Sequence, residues 1–303
     1  MLSTHRWPIV AAEKTEKTFD THALSLKIVL PGAALLASVA VLYGPVFKLM
    51  AWQWWTDPNW SHGFLVPAFS CFLLWRGRER WMAAPIRGSR LGLAGAGGAI
   101  SILILGTLAA DLFSTRFSFV LLLASLILYL GGWRMLRAVA FPVSYLLLMI
   151  PWPGVIYAQV TLPLQFLASR WAAAALAAVH VPVLREGNLL VLSNYTLEVA
   201  QACSGIRSLV SLFTVAVAYA YLAERKMWVR VGLIAMMLPI AIISNAFRIF
   251  GTGVLTTQLS PRLAQGFFHE FSGWLIFVTA IGLMLALHRL FRITAKYFED
   301  ARA

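Results

Sequence analysis

Eight apolar runs with few charges, the shortest of them 14 residues, divide this 303-residue chain. Runs of that length and composition restrict a chain to structures that satisfy their own backbone inside a bilayer, which for apolar stretches means helices. The expected spans are 24–43, 62–75, 91–110, 116–130, 134–150, 205–222, 228–249 and 273–290. The second is short and implies local thinning of the bilayer or shielding by neighbouring helices. Composition agrees: 60% of residues are hydrophobic and 12% charged, about half the charged share of a soluble domain. The expected fold is an all-α polytopic membrane domain over 24–290. A polar N-terminal segment precedes it over 1–23 and a basic tail follows over 291–303. No small-residue cleavage site follows the first apolar run, so a retained helix is expected there.

A net charge of +13 invites a nucleic-acid reading. The bases, however, sit in short connections between apolar runs, as membrane topology requires, and no nucleic-acid partner is expected. If eight spans alternate, one side receives Arg6, Lys14, Lys17, Lys27, Arg76, Arg78, Arg80, Arg87, Arg90, Arg134, Arg137, Arg225, Lys226, Arg230, Arg289, Arg292, Lys296 and Arg302. The other receives only Lys48, Arg116, Arg170, Arg185, Arg207, Arg248 and Arg262. The positive-inside rule then places both termini in the cytoplasm.

The outer side receives a tryptophan-rich loop (Trp52, Trp54, Trp55, Trp60), read as an interfacial aromatic belt. It also receives the longest connection, 151–202. Within it, 155–181 carries Gln159, Gln165, Ser169 and Arg170 among apolar residues and is either an interfacial helix or a re-entrant segment. A two-stranded element is expected next, 185–192 and 195–200, turning at Ser193-Asn194.

Three polar residues fall at one depth. Cys203 stands at the outer start of span six, flanked by Gln201, Ser204 and Gly205 and followed by Arg207. A cysteine in a membrane helix is ordinarily a small inert residue, and Cys71, among Phe69, Phe72 and Leu73, fits that description. Cys203 instead meets a helix N-terminus, whose dipole favours the thiolate, and the N–H groups of Ser204 and Gly205 are candidate oxyanion donors. Arg248, three residues after Asn245, lies near the outer end of span seven. It either snorkels to the headgroups or faces the bundle interior, where it can polarise a carbonyl or bind a carboxylate. Ser260-Pro261 is a good helix start, and a helix running from there puts His269 at the outer interface. Histidine is the natural base for a thiol and acid for a departing amine. Spans six, seven and eight alternate direction, so the three residues fall within roughly two turns of one plane. Cys71 should lie about 15 Å deeper, too far for a disulfide with Cys203.

The stretches Ser61 to Pro67, Arg185 to Asn188, Glu198 to Arg207, Asn245 to Arg248 and Gly266 to Trp274 closely resemble the exosortase/archaeosortase family, in the family's order. Ala202-Cys203-Ser204-Gly205-Ile206-Arg207 is the most distinctive of them. The resemblance implies a Cys/Arg/His site at Cys203, Arg248 and His269 on the extracytoplasmic face of a bacterial inner membrane. It also implies protein substrates with a C-terminal sorting tail: a short Pro-Glu-Pro-like motif, a transmembrane helix and a basic cluster. His62 either lines the site or shapes a helix start. Glu198 either positions Arg248 or His269 or caps a strand, and Arg207 is placed to hold a thiolate's charge. No cofactor is expected. The six histidines show no ligand-like spacing, so no metal is expected either. His5, His22, His180 and His288 read as surface or interface residues.

Other functions remain possible for such a chain. A transporter or channel would carry midplane polar residues or internal repeats, and neither is visible. A non-catalytic scaffold of exopolysaccharide export would function without Cys203. A purely hydrolytic protease would differ only in the product's new C-terminus.

Overall fold

The computed structural model describes the backbone of residues 21–193, 195–199, 205–258 and 267–300; the side chains it describes begin at Leu30. The chain divides into two compact units, 1–45 and 46–303. The first holds the start of helix α1 (Thr21–Thr56), where Leu30, Leu36 and Val41 are exposed as lipid-facing residues are.

In the second unit α1 ends at Thr56, so Trp52, Trp54 and Trp55 ride on its last turns and not on a loop. Helix propensity continues past the apolar run that the span was read from. Trp54 is buried, and its indole N–H donates to the Met149 carbonyl at 3.0 Å. A 3₁₀ turn, Pro58–Phe64, follows, capped by Asp57, and leads into α2 (Leu65–Arg76) and the short α3 (Arg78–Met82). Cys71, read as a small inert residue among apolar neighbours, is a free cysteine on the exposed side of α2 and not a buried one.

Helices α4 (Leu91–Leu108) and α5 (Leu112–Tyr145) pack closely. Small residues allow it: a Cβ on Gly92 would meet the Tyr129 and Ser125 backbone, and one on Gly106 would meet Ser114 and Thr115. Asp111 caps α5, accepting from the N–H groups of Phe113 and Ser114. Arg116 is not a surface base but is buried near this end of α5.

Helix α5 is two helical segments joined at Gly132, whose φ of 82° and ψ of −175° lie outside the helical region. Phe119 packs on Phe47 with ring centroids 4.7 Å apart, while Met149 accepts from Trp54. Residues 47 and 54 are about 10 Å apart along a helix, whereas 119 and 149 would be about 45 Å apart in a straight one. The chain therefore doubles back at Gly132, as the separate spans 116–130 and 134–150 anticipated. A Cβ at Gly132 would run into the Arg87 carbonyl. Gly132→Ala is expected to destabilise the protein by about 2 kcal/mol or more, read as a lower unfolding temperature in detergent.

After the 3₁₀ turn Leu146–Met149 comes α6 (Gly154–Ala178), then a three-stranded antiparallel sheet: β1 (Val183–Glu186), β2 (Leu189–Leu192) and β3 (Tyr195–Glu198). Two strands were expected. Gly187, at φ 64°, turns the first of them back on itself, pairing Glu186 with Leu189. Leu190, Leu197 and Val199 bury this sheet against Leu176 of α6 and Ile249.

Three long helices close the chain: α7 (Gly205–Ala223), α8 (Met227–Gln258) and α9 (Phe267–Asp300). Ala220 packs with Val229 and Leu233, while Leu212 and Ala216 pack with Met237, Ile240, Ala280 and Met284. These contacts make the three helices successively antiparallel. Helix α8 continues ten residues past Arg248, and α9 runs through most of the segment expected as a tail, 291–303.

Among the described residues, five helical stretches are long and apolar enough to cross a membrane: Leu30–Thr56, Leu91–Leu108, Leu112–Met149 (which folds back at Gly132), Met227–Gln258 and Gly273–Thr294. Leu209–Ala223 is a shorter apolar helix. The chain is a mostly helical, multi-pass membrane protein.

Candidate active site

Helix α7 carries Ser211, Thr214, Val215, Ala218, Tyr219 and Leu222, spaced three or four apart and therefore on one face. This face lines a cavity of about 1240 Å³. Ser61 and His62 of the 3₁₀ turn, Leu65 and Phe69 of α2 and Tyr145 of α5 form further wall. Arg248 of α8 and Gly273, Trp274 and Phe277 of α9 complete it. Tyr145 anchors α5 to α7 by donating its hydroxyl to the Thr214 carbonyl at 3.1 Å.

Arg248 is 4% exposed and its guanidinium lies over Gly273: a Cβ there would stand 3.6 Å from a terminal guanidinium nitrogen. The antiparallel register fixes the level of Arg248. With Ile240 and Ala241 beside Leu212 and Ala216, a residue seven or eight further along α8 falls level with the first turn of α7. Arg248 thus faces inward, and the snorkelling alternative is set aside.

His62 is 7% exposed, with neither ring nitrogen hydrogen-bonded among the described residues. It lines the same cavity as Arg248, beside the ring of Trp60. Asn245, half-buried one turn before Arg248, has an amide oxygen without a partner among the described residues. Glu198 is the half-buried last residue of β3.

Cys203 and Ser204 lie outside the described residues, as do the side chains of Gly205, Arg207 and His269. Their places in the chain are informative nonetheless. Gly205 is the first residue of α7, so Cys203 precedes that helix by two positions. His269 belongs to α9, four residues before Gly273, about 6 Å along the helix axis. The structure thus groups Arg248, His62, Gly273 and the start of α7 at one end of the cavity.

Towards the other end, the Tyr219 hydroxyl lies 2.7 Å from His288 Nδ1, and His288 Nε2 lies 3.3 Å from a Glu224 carboxylate oxygen. An ionised Glu224 can only accept, so Nε2 carries a proton towards it, and a neutral ring then accepts the Tyr219 hydroxyl at Nδ1. Burial opposes ionisation of Glu224. The N–H groups of Lys226 and Arg225, with His288, nevertheless hold its carboxyl below the usual glutamate range. His288 is 6% exposed, which corrects its reading as a surface or interface residue. The six-residue face on α7 is written in the sequence, but Ser, Thr and Tyr in an apolar helix look like ordinary packing. Tyr145, Trp274 and His288 had no such signal, since only packing brings them to the cavity and its base.

Among the described residues no group of histidine, cysteine and carboxylate side chains is arranged to hold a metal ion. A family model described as transmembrane exosortase matches residues 54–286. No curated protein matches the chain, and no solved structure does.

Proposed function

Because the chain belongs to the transmembrane exosortase family, we propose that it is a membrane-embedded cysteine transpeptidase that cleaves C-terminal sorting tails of exported proteins. The observation that carries this reading is the placement of Arg248. It is buried, inward-facing, seated on Gly273 one turn from His269, and level with the start of α7, just after Cys203.

In this reading the Cys203 thiolate attacks the peptide carbonyl at the sorting motif. Arg248 stabilises the oxyanion, together with the N–H groups of Ser204 and Gly205. As the tetrahedral intermediate collapses, the C–N bond breaks and His269 gives its proton to the leaving amine. A second nucleophile then displaces the thioester and frees the thiol. Asn245 and Glu198 are supporting residues that line the site, Arg207 balances the thiolate, and His62 lines the substrate's path. The chain crosses the bacterial inner membrane eight times with both termini cytoplasmic, which the distribution of Lys and Arg supports. The site then opens on the periplasmic side. Its partners are proteins with a Pro-Glu-Pro-like motif, a transmembrane helix and a basic cluster.

The test is mass spectrometry of enzyme and product after incubation in membranes with a tagged tail substrate. A thioester adduct on the peptide containing Cys203, and a released product heavier than the hydrolysed one by an acceptor, are expected. A product bearing a free carboxylate would make the chain a hydrolase, and no adduct with no processing would overturn the reading.

Gly273 offers a graded check on Arg248. Its Cβ position is in ordinary contact with the guanidinium, so Gly273→Ala should be nearly silent. Gly273→Leu should push the guanidinium aside and slow processing about a hundredfold, at unchanged protein level in the membrane.

A further inference from the structure

The cavity is larger than the chemistry at its end requires, and its shape carries the inference. It follows α7 from Ser211 to Leu222, eleven residues or about 16 Å. That length corresponds to about three turns of a helix lying alongside α7. Its long walls are mostly apolar, with Leu65 and Phe69 on one flank and Trp274 and Phe277 on the other. Those flanks belong to α2 and α9, which make no extensive contact with each other. Leu65 and Trp274 are 68% and 62% exposed, as residues bordering an opening are. The apolar stretch Leu209–Ala223 puts the length of the cavity at membrane depth, where an apolar occupant needs no hydration.

We infer that the gap between α2 and α9 is a lateral docking groove for a single apolar transmembrane helix of the substrate, lying along the 211–222 face of α7. This rests on the transpeptidase reading and specifies where the anchored tail sits. A docked helix, met along its length by Phe69, Ala218 and Phe277, would hold the peptide just beyond its end beside Arg248 and His62. The Tyr219–His288–Glu224 chain ties α7 to α9 towards the groove's base, so the docked helix meets a fixed floor.

The experiment places a photoreactive phenylalanine analogue at Phe69, Ala218 or Phe277, with Leu93 on the exposed face of α4 as control. The background is the full-length Cys203→Ala protein in cell membranes. The probe is a tagged exported protein ending in one apolar helix of about twenty residues. Crosslinks from the three groove positions to that helix, recurring every three or four residues along it, and at least tenfold above Leu93, are expected. Crosslinks to lipid alone, or equal yields from Leu93, would overturn the groove. A second variant, Ala218→Trp, should lower the crosslink from Phe277 by filling the groove; an unchanged yield counts against it. If Cys203→Ala still processes substrate while the crosslinks persist, the chemistry fails and the docking site stands. If wild type processes through Cys203 but the groove stays uncrosslinked, the docking site alone fails.

Discussion

Replacing Cys203 by alanine is expected to abolish processing of a tail substrate in cells, a loss of at least about a thousandfold at matched membrane levels. No other side chain in the proposed mechanism can form the covalent intermediate, so its loss should not be compensated by Arg248 or His269. Cys71→Ala is the matched control. That thiol sits on the exposed face of α2, away from the cavity-lining positions of the same helix, and its removal should leave processing unchanged. Full processing by Cys203→Ala would sink the covalent mechanism and return the chain to a scaffold or transporter role in exopolysaccharide export.

Arg248 should give the second largest loss. A donor aimed at a developing oxyanion is worth about a hundred- to a thousandfold in rate, and Arg248→Gln removes both its charge and its fork. Arg248→Lys keeps the charge without the bidentate geometry and should recover only a small part of the activity. The side chain is almost wholly buried, so its loss also changes packing. Thermal unfolding of both variants separates the effects: a rate loss at an unchanged transition belongs to the site. If Arg248→Lys matched wild type, a point charge would suffice and the oxyanion role would fall.

The loss at Arg248 depends on an inward direction that one helix cannot supply. An arginine near the end of an apolar run has two solutions, the headgroup region or the bundle interior, and the run is the same for both. The neighbouring helix decided it: Gly273 leaves room for the guanidinium, while Ile249 packs against the sheet on another face of α8. Cys203 was conspicuous for a different reason. Glycine, serine and arginine beside a cysteine at a helix start are local features, and local features are written in residue order.

The same division runs through the rest of the molecule. Burial of apolar runs in a bilayer is dictated by composition and length, so a helical multi-pass protein followed from the order of residues alone. The return of the chain near 131–133 was legible too, because Gly131-Gly132 between two apolar runs, with Arg134 and Arg137 just after, calls for a turn. The third strand was not, since Gly187 turns the backbone only where Leu190 and Leu197 have a core to enter. His288 looked like an interface residue until α7 brought Tyr219 and Glu224 to its two nitrogens. The cavity was least legible of all. Its walls come from five helices and a 3₁₀ turn far apart in the chain, and empty volume is a property of how they fail to meet. Residue order sets which faces are apolar, whereas only their packing sets which of those faces is left without a neighbour.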